Sequence, residues 1–227
     1  KNSIRLVFDV NRGDRVKIGD IIFEGNDDII DRKLRKQMEN TSWKKKIFSS
    51  SKLVEMDYET DKKMLIGYYN SLGYRDAKIV RDSVYRDEEG KDMILEITID
   101  EGNQYVFRDI TWKGNSIYTD ERLTQLLGIS KGDIYNAGLL DQRLQFSDDS
   151  RDISSQYMDN GYLFFNINPV ETVVGTDSID IEMRIFEGEQ ADIRNIILNG
   201  NTRTHDHVVR REIRTLPGQK FSRSDLI

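Results

Sequence analysis

A chain of 227 residues with 40 acidic against 34 basic side chains has a net charge of −6. These charges are mixed along its length, not gathered into the basic face that nucleic acid requires. Charged residues make up 33% and apolar ones 37%, a balance that suits small domains with much surface, and no apolar run approaches the length of a membrane span.

Residues 4–10 alternate Ile4, Leu6, Phe8 and Val10 on one face and read as a strand, broken by Asn11-Arg12-Gly13-Asp14. Val16, Ile18, Ile21 and Phe23 form a second alternating run, with a phase change near Gly19 that suggests a bulge. Gly25-Asn26 turns the chain, and Asp27 or Asp28 is placed to cap a helix carrying Ile30, Leu34 and Met38. A Ser/Lys-rich loop follows over 40–52. A second helix runs from about Val54 to Leu72, with Tyr58, Leu65, Tyr69 and Leu72 on one stripe and Gly73 as its C-terminal cap. Residues 78–85 and 93–99 are strands joined by a polar turn, a hairpin.

The same order then returns. Tyr105, Phe107, Ile110 and Trp112 mark a first strand, and Thr119 caps a short helix bearing Leu123, Leu126 and Leu127 that Gly128 ends. A second helix from about Ala137 carries Leu140, Leu144, Ile153 and Tyr157, with an irregularity expected around 148–150, and stops at Gly161. Strands over 163–174 and 178–186 close the unit. The order is β-α-α-β-β twice over. It predicts an α+β protein of tandem units, each a three-stranded mixed sheet with two helices on one face.

The repetition is visible directly. Gly13, Gly102 and Gly188 recur at spacings of 89 and 86 residues, and Gly25, Gly114 and Gly200 keep the same intervals. The expected division is therefore residues 1–13 as the last strand of a preceding unit, 14–102 and 103–188 as complete units, and 189–227 as the N-terminal half of a following one, bringing a strand with Ile193, Ile196 and Leu198, one helix with Val209 and Ile213 and the beginning of another, without a closing hairpin. That half-unit and the strand over 4–10 are complementary in kind, so they are expected to meet between molecules.

Tyr69-Asn70-Ser71-Leu72-Gly73-Tyr74 and Tyr157-Met158-Asp159-Asn160-Gly161-Tyr162 resemble the helix-ending signature of POTRA domains, the polypeptide-transport-associated modules. Gly25-Asn26, Gly114-Asn115 and Gly200-Asn201 after the first strand, and Glu101-Gly102 and Glu187-Gly188 after the last, resemble the same family. The run from Val208-Val209-Arg210-Arg211-Glu212 to Pro217-Gly218 is similar to the start of the POTRA domain nearest the membrane barrel in BamA-like members of the Omp85 superfamily. The resemblance covers the whole chain. It implies a position on the periplasmic face of a Gram-negative outer membrane and a C-terminal membrane β-barrel in the same protein. Unfolded outer-membrane proteins and accessory lipoproteins are the implied partners. Arg210, Arg211 and Glu212 match the family's partner-docking stretch, whereas Pro217 stands where some relatives carry an acidic residue that serves a lipoprotein. A secretion or translocation member of the same superfamily is the alternative, and an enzyme using the repeats as a platform is the rival from another class.

Chemistry-bearing sets are missing from the sequence. There is no Gly-rich phosphate loop, no G-x-S-x-G and no Ser/His or Cys/His set, so neither an enzyme nor a cofactor is expected. His205 and His207 lack the further ligands of a zinc site, and Asp148, Asp149 and Asp152 lack the loop of a calcium site. Trp43, Lys44–46 and Phe48 read as a solvated loop rather than a lipid contact. The binding candidates are edge strands, whose unpaired N–H and C=O groups accept extended peptides by shape. They are 77–85, with Lys78, Ile79, Val80, Arg81 and Ser83, and 164–174, with Asn166, Ile167 and Val170 and an edge partly blunted by Pro169.

Overall fold

A computed structural model describes residues 7–8, 17–41, 53–145, 147, 151–200 and 203–226. The strand expected over 4–10, the loop with Trp43 and Phe48, the carboxylates Asp148 and Asp149, and Asn201 lie wholly or almost wholly outside the described residues. The chain divides into two compact units: residues 1–68 with 77–101, and 69–76 with 102–227. Among the described residues no helix is long and apolar enough to cross a membrane.

In the first unit β1 (Lys17–Glu24), α1 (Asp31–Gln37), α2 (Glu55–Ser71), β2 (Lys78–Arg86) and β3 (Asp92–Asp100) follow in order. The sheet order is β1-β3-β2, with β1 parallel and β2 antiparallel to the central β3. The phase change near Gly19 is a bulge, where the register shifts between Ile18 and Asp20. It returns Ile18, Ile21 and Phe23 to the buried face. Leu34 of α1, Met38 at its C-cap, Leu65 of α2 and Leu95 and Ile97 from β3 are also buried. The start of α1 differs from expectation. Neither Asp27 nor Asp28 caps it; Ile30 occupies the N-cap position with no side-chain cap, and Ile29 is the buried residue. The Asn26 amide instead donates to the Ile29 carbonyl at 2.8 Å and to Asp31 at 3.0 Å, fixing the loop to the first helical turn.

The second unit repeats the plan with β4 (Val106–Lys113), α3 (Asp120–Leu127), α4 (Ala137–Leu144), α5 (Ile153–Met158), β5 (Asn166–Val174) and β6 (Ser178–Phe186), sheet order β4-β6-β5. The expected second helix is two helices. Asp152 caps α5 through the Ser155 N–H at 2.8 Å and also accepts from the Ser147 N–H at 3.0 Å, so a side chain takes the place of the backbone ladder across the break. Tyr157 is the centre of the core: its ring stacks on Phe165 at 4.1 Å and meets Tyr118 and Tyr162 edge-on.

The turn after α2 clusters with the second unit. The Gly73 carbonyl accepts from the Tyr105 N–H at 2.9 Å, and the Gln104 amide donates to the Leu72 carbonyl at 2.8 Å. The turn after α5 repeats this arrangement, with Ala191 donating to Gly161 at 2.8 Å and Gln190 to Asn160 at 2.9 Å. Beyond it lies α6 (Asp206–Glu212), but among the described residues the strand expected around Ile193–Leu198 is not formed; an isolated bridge pairs Asp192 with Lys220, and Ala191 and Ile193 bond the backbone of 218–221 on either side of it. A strand is defined by its ladder, and no neighbouring strand lies beside this segment among the described residues.

Candidate partner-binding surfaces

The repeated motif residues are structural. At Gly25 and Gly114 a Cβ would fall 2.2 Å from the Ile99 carbonyl oxygen and 2.1 Å from that of Ile185, at φ of 75° and 88°, so only glycine fits there. The glutamate that ends each sheet closes the same loop. Glu101 accepts from the Asp28 N–H at 2.9 Å; Glu187 accepts from the Ser116 and Ile117 N–H groups at 2.9 Å and from the Tyr157 hydroxyl at 3.0 Å. Partial burial works against the charged form of Glu187, yet the Ser116 and Ile117 donors outweigh it and hold the carboxyl below its ordinary value. Burial and the same bond push the Tyr157 hydroxyl up. Asn115 repeats the role of Asn26, donating to the Tyr118 carbonyl at 3.0 Å and to Asp120 at 2.7 Å. Gly73 and Gly161 take positive φ at the helix ends, Tyr74 packs edge-on against Tyr69, and Gly200 also has a positive φ.

Both expected edge strands lie at sheet edges. β2 pairs with β3 on one side, and among the described residues its other side makes no backbone bond. Its register shifts between Ile79 and Arg81, leaving Val80 as the extra residue, so the regular edge runs from Arg81 to Arg86. Nearly every side chain of β2 is exposed, including Val80, Val84 and Tyr85. The strand is held by its ladder and by polar contacts. Arg81 meets Glu96 at 2.9 Å, the Tyr85 hydroxyl donates to Glu96 at 3.0 Å, Lys78 meets Asp100 at 3.1 Å, and Lys62 of α2 reaches Asp82 at 2.9 Å. Ser83 is half-buried opposite Glu96.

β5 keeps an unbroken register along β6, with Pro169 opposite Met183. Asn166 is exposed and Val170 half-buried, but the Ile167 side chain belongs to the core, so at that position only the backbone is available to a partner. The lower half of β5 is engaged on its helix side. Glu171 accepts from the Tyr135 hydroxyl at 2.5 Å and meets Arg75 at 3.1 Å. Burial and then Glu171 push the Tyr135 hydroxyl up.

Arg210, Arg211 and Glu212 are exposed on α6. Arg210 donates to the Ile196 carbonyl at 3.3 Å, and Arg211 pairs with its neighbour Glu212 at 3.2 Å. The rings of His205 and His207 stack at 5.7 Å, and among the described residues no group of His, Cys, Asp and Glu is arranged to hold a metal ion.

Comparison with known proteins agrees with this geometry. The family model for POTRA, described as surface antigen variable number repeat, matches residues 16–102, 105–188 and 191–227. The outer membrane protein assembly factor BamA of Neisseria meningitidis serogroup B is 26% identical over 234 residues, covering 100% of this chain and 28% of that protein. A putative outer membrane protein assembly factor of Treponema pallidum is 28% identical over 227 residues, covering 98% and 26%. The chain thus spans about a quarter of the length of these relatives. In fold it is similar to the POTRA3-5 crystal structure of Haemophilus influenzae BamA, with a TM-score of 0.63 at 22% identity over 95% of this chain and 85% of that one. The two mixed sheets, the glycine-asparagine turns locked by a distant glutamate, and a family match running through both units lead to one conclusion: this chain belongs to the POTRA family.

Proposed function

We propose that the chain is the periplasmic POTRA region of a BamA-like assembly factor, two complete repeats and the first part of another, acting as a scaffold and not as an enzyme. It holds unfolded outer-membrane β-barrel proteins by adding their extended segments to sheet edges, and it docks accessory lipoproteins on helix surfaces, α6 with Arg210, Arg211 and Glu212 among them. A membrane β-barrel in the same protein receives the client. The observation that carries this reading is β2, whose backbone is paired on one side only among the described residues while seven of its nine side chains are exposed. Backbone pairing reads extended shape rather than sequence, which is the property a scaffold for many clients needs. Asn166 and Val170 on β5 offer a second edge, shortened by Pro169.

The test uses adjacent prolines. In an antiparallel strand successive N–H groups point to opposite edges. Of Ser83→Pro and Val84→Pro, therefore, one removes a ladder bond to β3 and the other an outward donor. The expected result is one destabilised variant and one that melts normally but binds a barrel-derived peptide at least tenfold more weakly. Two variants that both bind as the parent does would overturn β2 as the client edge.

A further inference from the structure

The second sheet has another edge, and half of it is already in use. The outer side of β4 is paired at its start by a loop returning from α3. The Phe107 N–H donates to the Asp133 carbonyl at 2.9 Å, the Gly132 N–H to the Phe107 carbonyl at 2.7 Å, and Val106 bridges Ile134. Past the bulge between Phe107 and Asp109 the loop turns away at Ser130, and among the described residues no backbone group bonds the outer side of 109–113.

A groove of about 890 Å³ opens there, between Ile110, Thr111 and Trp112 of the strand and Asp120, Glu121 and Thr124 of α3. Its floor is held in place: Leu123 and Leu127 anchor α3 in the core, and the Trp112 indole N–H donates to the Thr124 hydroxyl at 2.9 Å. The charged residues of the lining are both acidic. Arg108 pairs with Asp180 and Lys113 with Glu182, while Arg122 of α3 donates to the Gln125 side chain of the lining at 3.2 Å. Asp120 takes one bond from the Asn115 amide, and neither Asp120 nor Glu121 is paired with a cation among the described residues.

We propose that this groove binds an extended, positively charged polypeptide segment, which continues the short pairing begun by Gly132–Asp133 as an added strand along 109–113 and sets a basic side chain against Asp120 and Glu121. The free stretch is about 17 Å long at ~3.3 Å per residue, room for some five residues. A helix packed beside the edge confines the guest to one lane, and the acidic rim selects its charge. This site is on the opposite edge of the sheet from β5, and it does not depend on β2 or β5 binding anything.

The test is an amide-shift titration of the whole isotope-labelled chain with two nine-residue peptides, one alternating Lys with Val and one alternating Glu with Val. The expected result is shifts at 109–113 and along α3 with the Lys peptide, at least tenfold weaker binding of the Glu peptide, and a tenfold loss of Lys-peptide affinity in Glu121→Lys. Glu121 is exposed, and Glu121→Gln, expected to lose several-fold, serves should the reversal disturb the fold. Shifts confined to β2 or β5 would overturn the groove while leaving the edge reading above intact, and no binding anywhere would overturn both. Equal affinity for the two peptides, or protection of 109–113 by a second copy of the chain in sedimentation and shift data, would also overturn the proposal.

Discussion

Glu187 accepts the two loop N–H groups that the Gly114-Asn115 turn leaves without helical partners, and Glu101 accepts one of them in the first unit. Replacing either by Gln keeps the shape and removes the charge, so Glu187→Gln is expected to cost about 1–3 kcal/mol in urea unfolding at pH 7. The pH dependence has a definite sign. The folded carboxyl of Glu187 titrates below its ordinary value, so its contribution is complete above the unfolded value of about 4.3 and is lost as pH falls through the lower folded value. The gap between parent and Glu187→Gln should therefore close on acidification; a gap that stays constant down to pH 2 would count against the assignment. The glycines, asparagines and glutamates of the motif were legible in the sequence, but their reason was not. Asn26 reads as a turn residue and proves to be a clamp on Asp31. No local pattern announces that a glutamate closes a loop 71 residues away.

Elements followed their periodicity where one face is buried. The stripes of α2 and the broken second helix of the second unit put Leu65, Tyr69, Leu144 and Tyr157 fully in the core. Leu65→Ala or Leu144→Ala should each cost roughly 2–5 kcal/mol, read by thermal or urea unfolding. Hydrogen exchange should show lost protection in β1 and β3 for Leu65→Ala and in β4 and β6 for Leu144→Ala. Equal loss in both sheets for either variant would contradict the division into two units. The irregularity expected around 148–150 falls between α4 and α5, where Asp152 accepts from the Ser147 and Ser155 N–H groups. What failed had a physical cause. An alternating run predicts a strand at Ile193–Leu198, but alternation supplies a face and not a partner. At the edge, spacing correctly read β2 as a strand but could not show the bulge at Val80, which depends on β3, and the groove beside β4 depends on where the Ser130 loop leaves the sheet.

At the scale of the whole molecule, the proposed docking on α6 separates from folding. Arg210 is exposed, and its side chain's bond to the Ile196 carbonyl is 3.3 Å long, so Arg210→Glu in the full-length protein is expected to lower outer-membrane protein levels while leaving the melt of these repeats within about 0.5 kcal/mol of the parent. Normal levels would remove α6 from the docking surface. The parallel pairing of β1 with β3 has a consequence for the order in which the chain is made. Each sheet is completed by its last strand, and the bonds that lock the first loop join residues 73 and 71 apart. A ribosome delivers β1 and its helices first, and they have no central strand to lie against until the hairpin arrives. Such long-range closure is slow compared with local helix formation. Each repeat should therefore remain open while it is being synthesised and close as one event once its final strand is free. A chain halted between α2 and β3 would expose the apolar faces of Ile18, Ile21 and Leu65 to whatever chaperone is at hand.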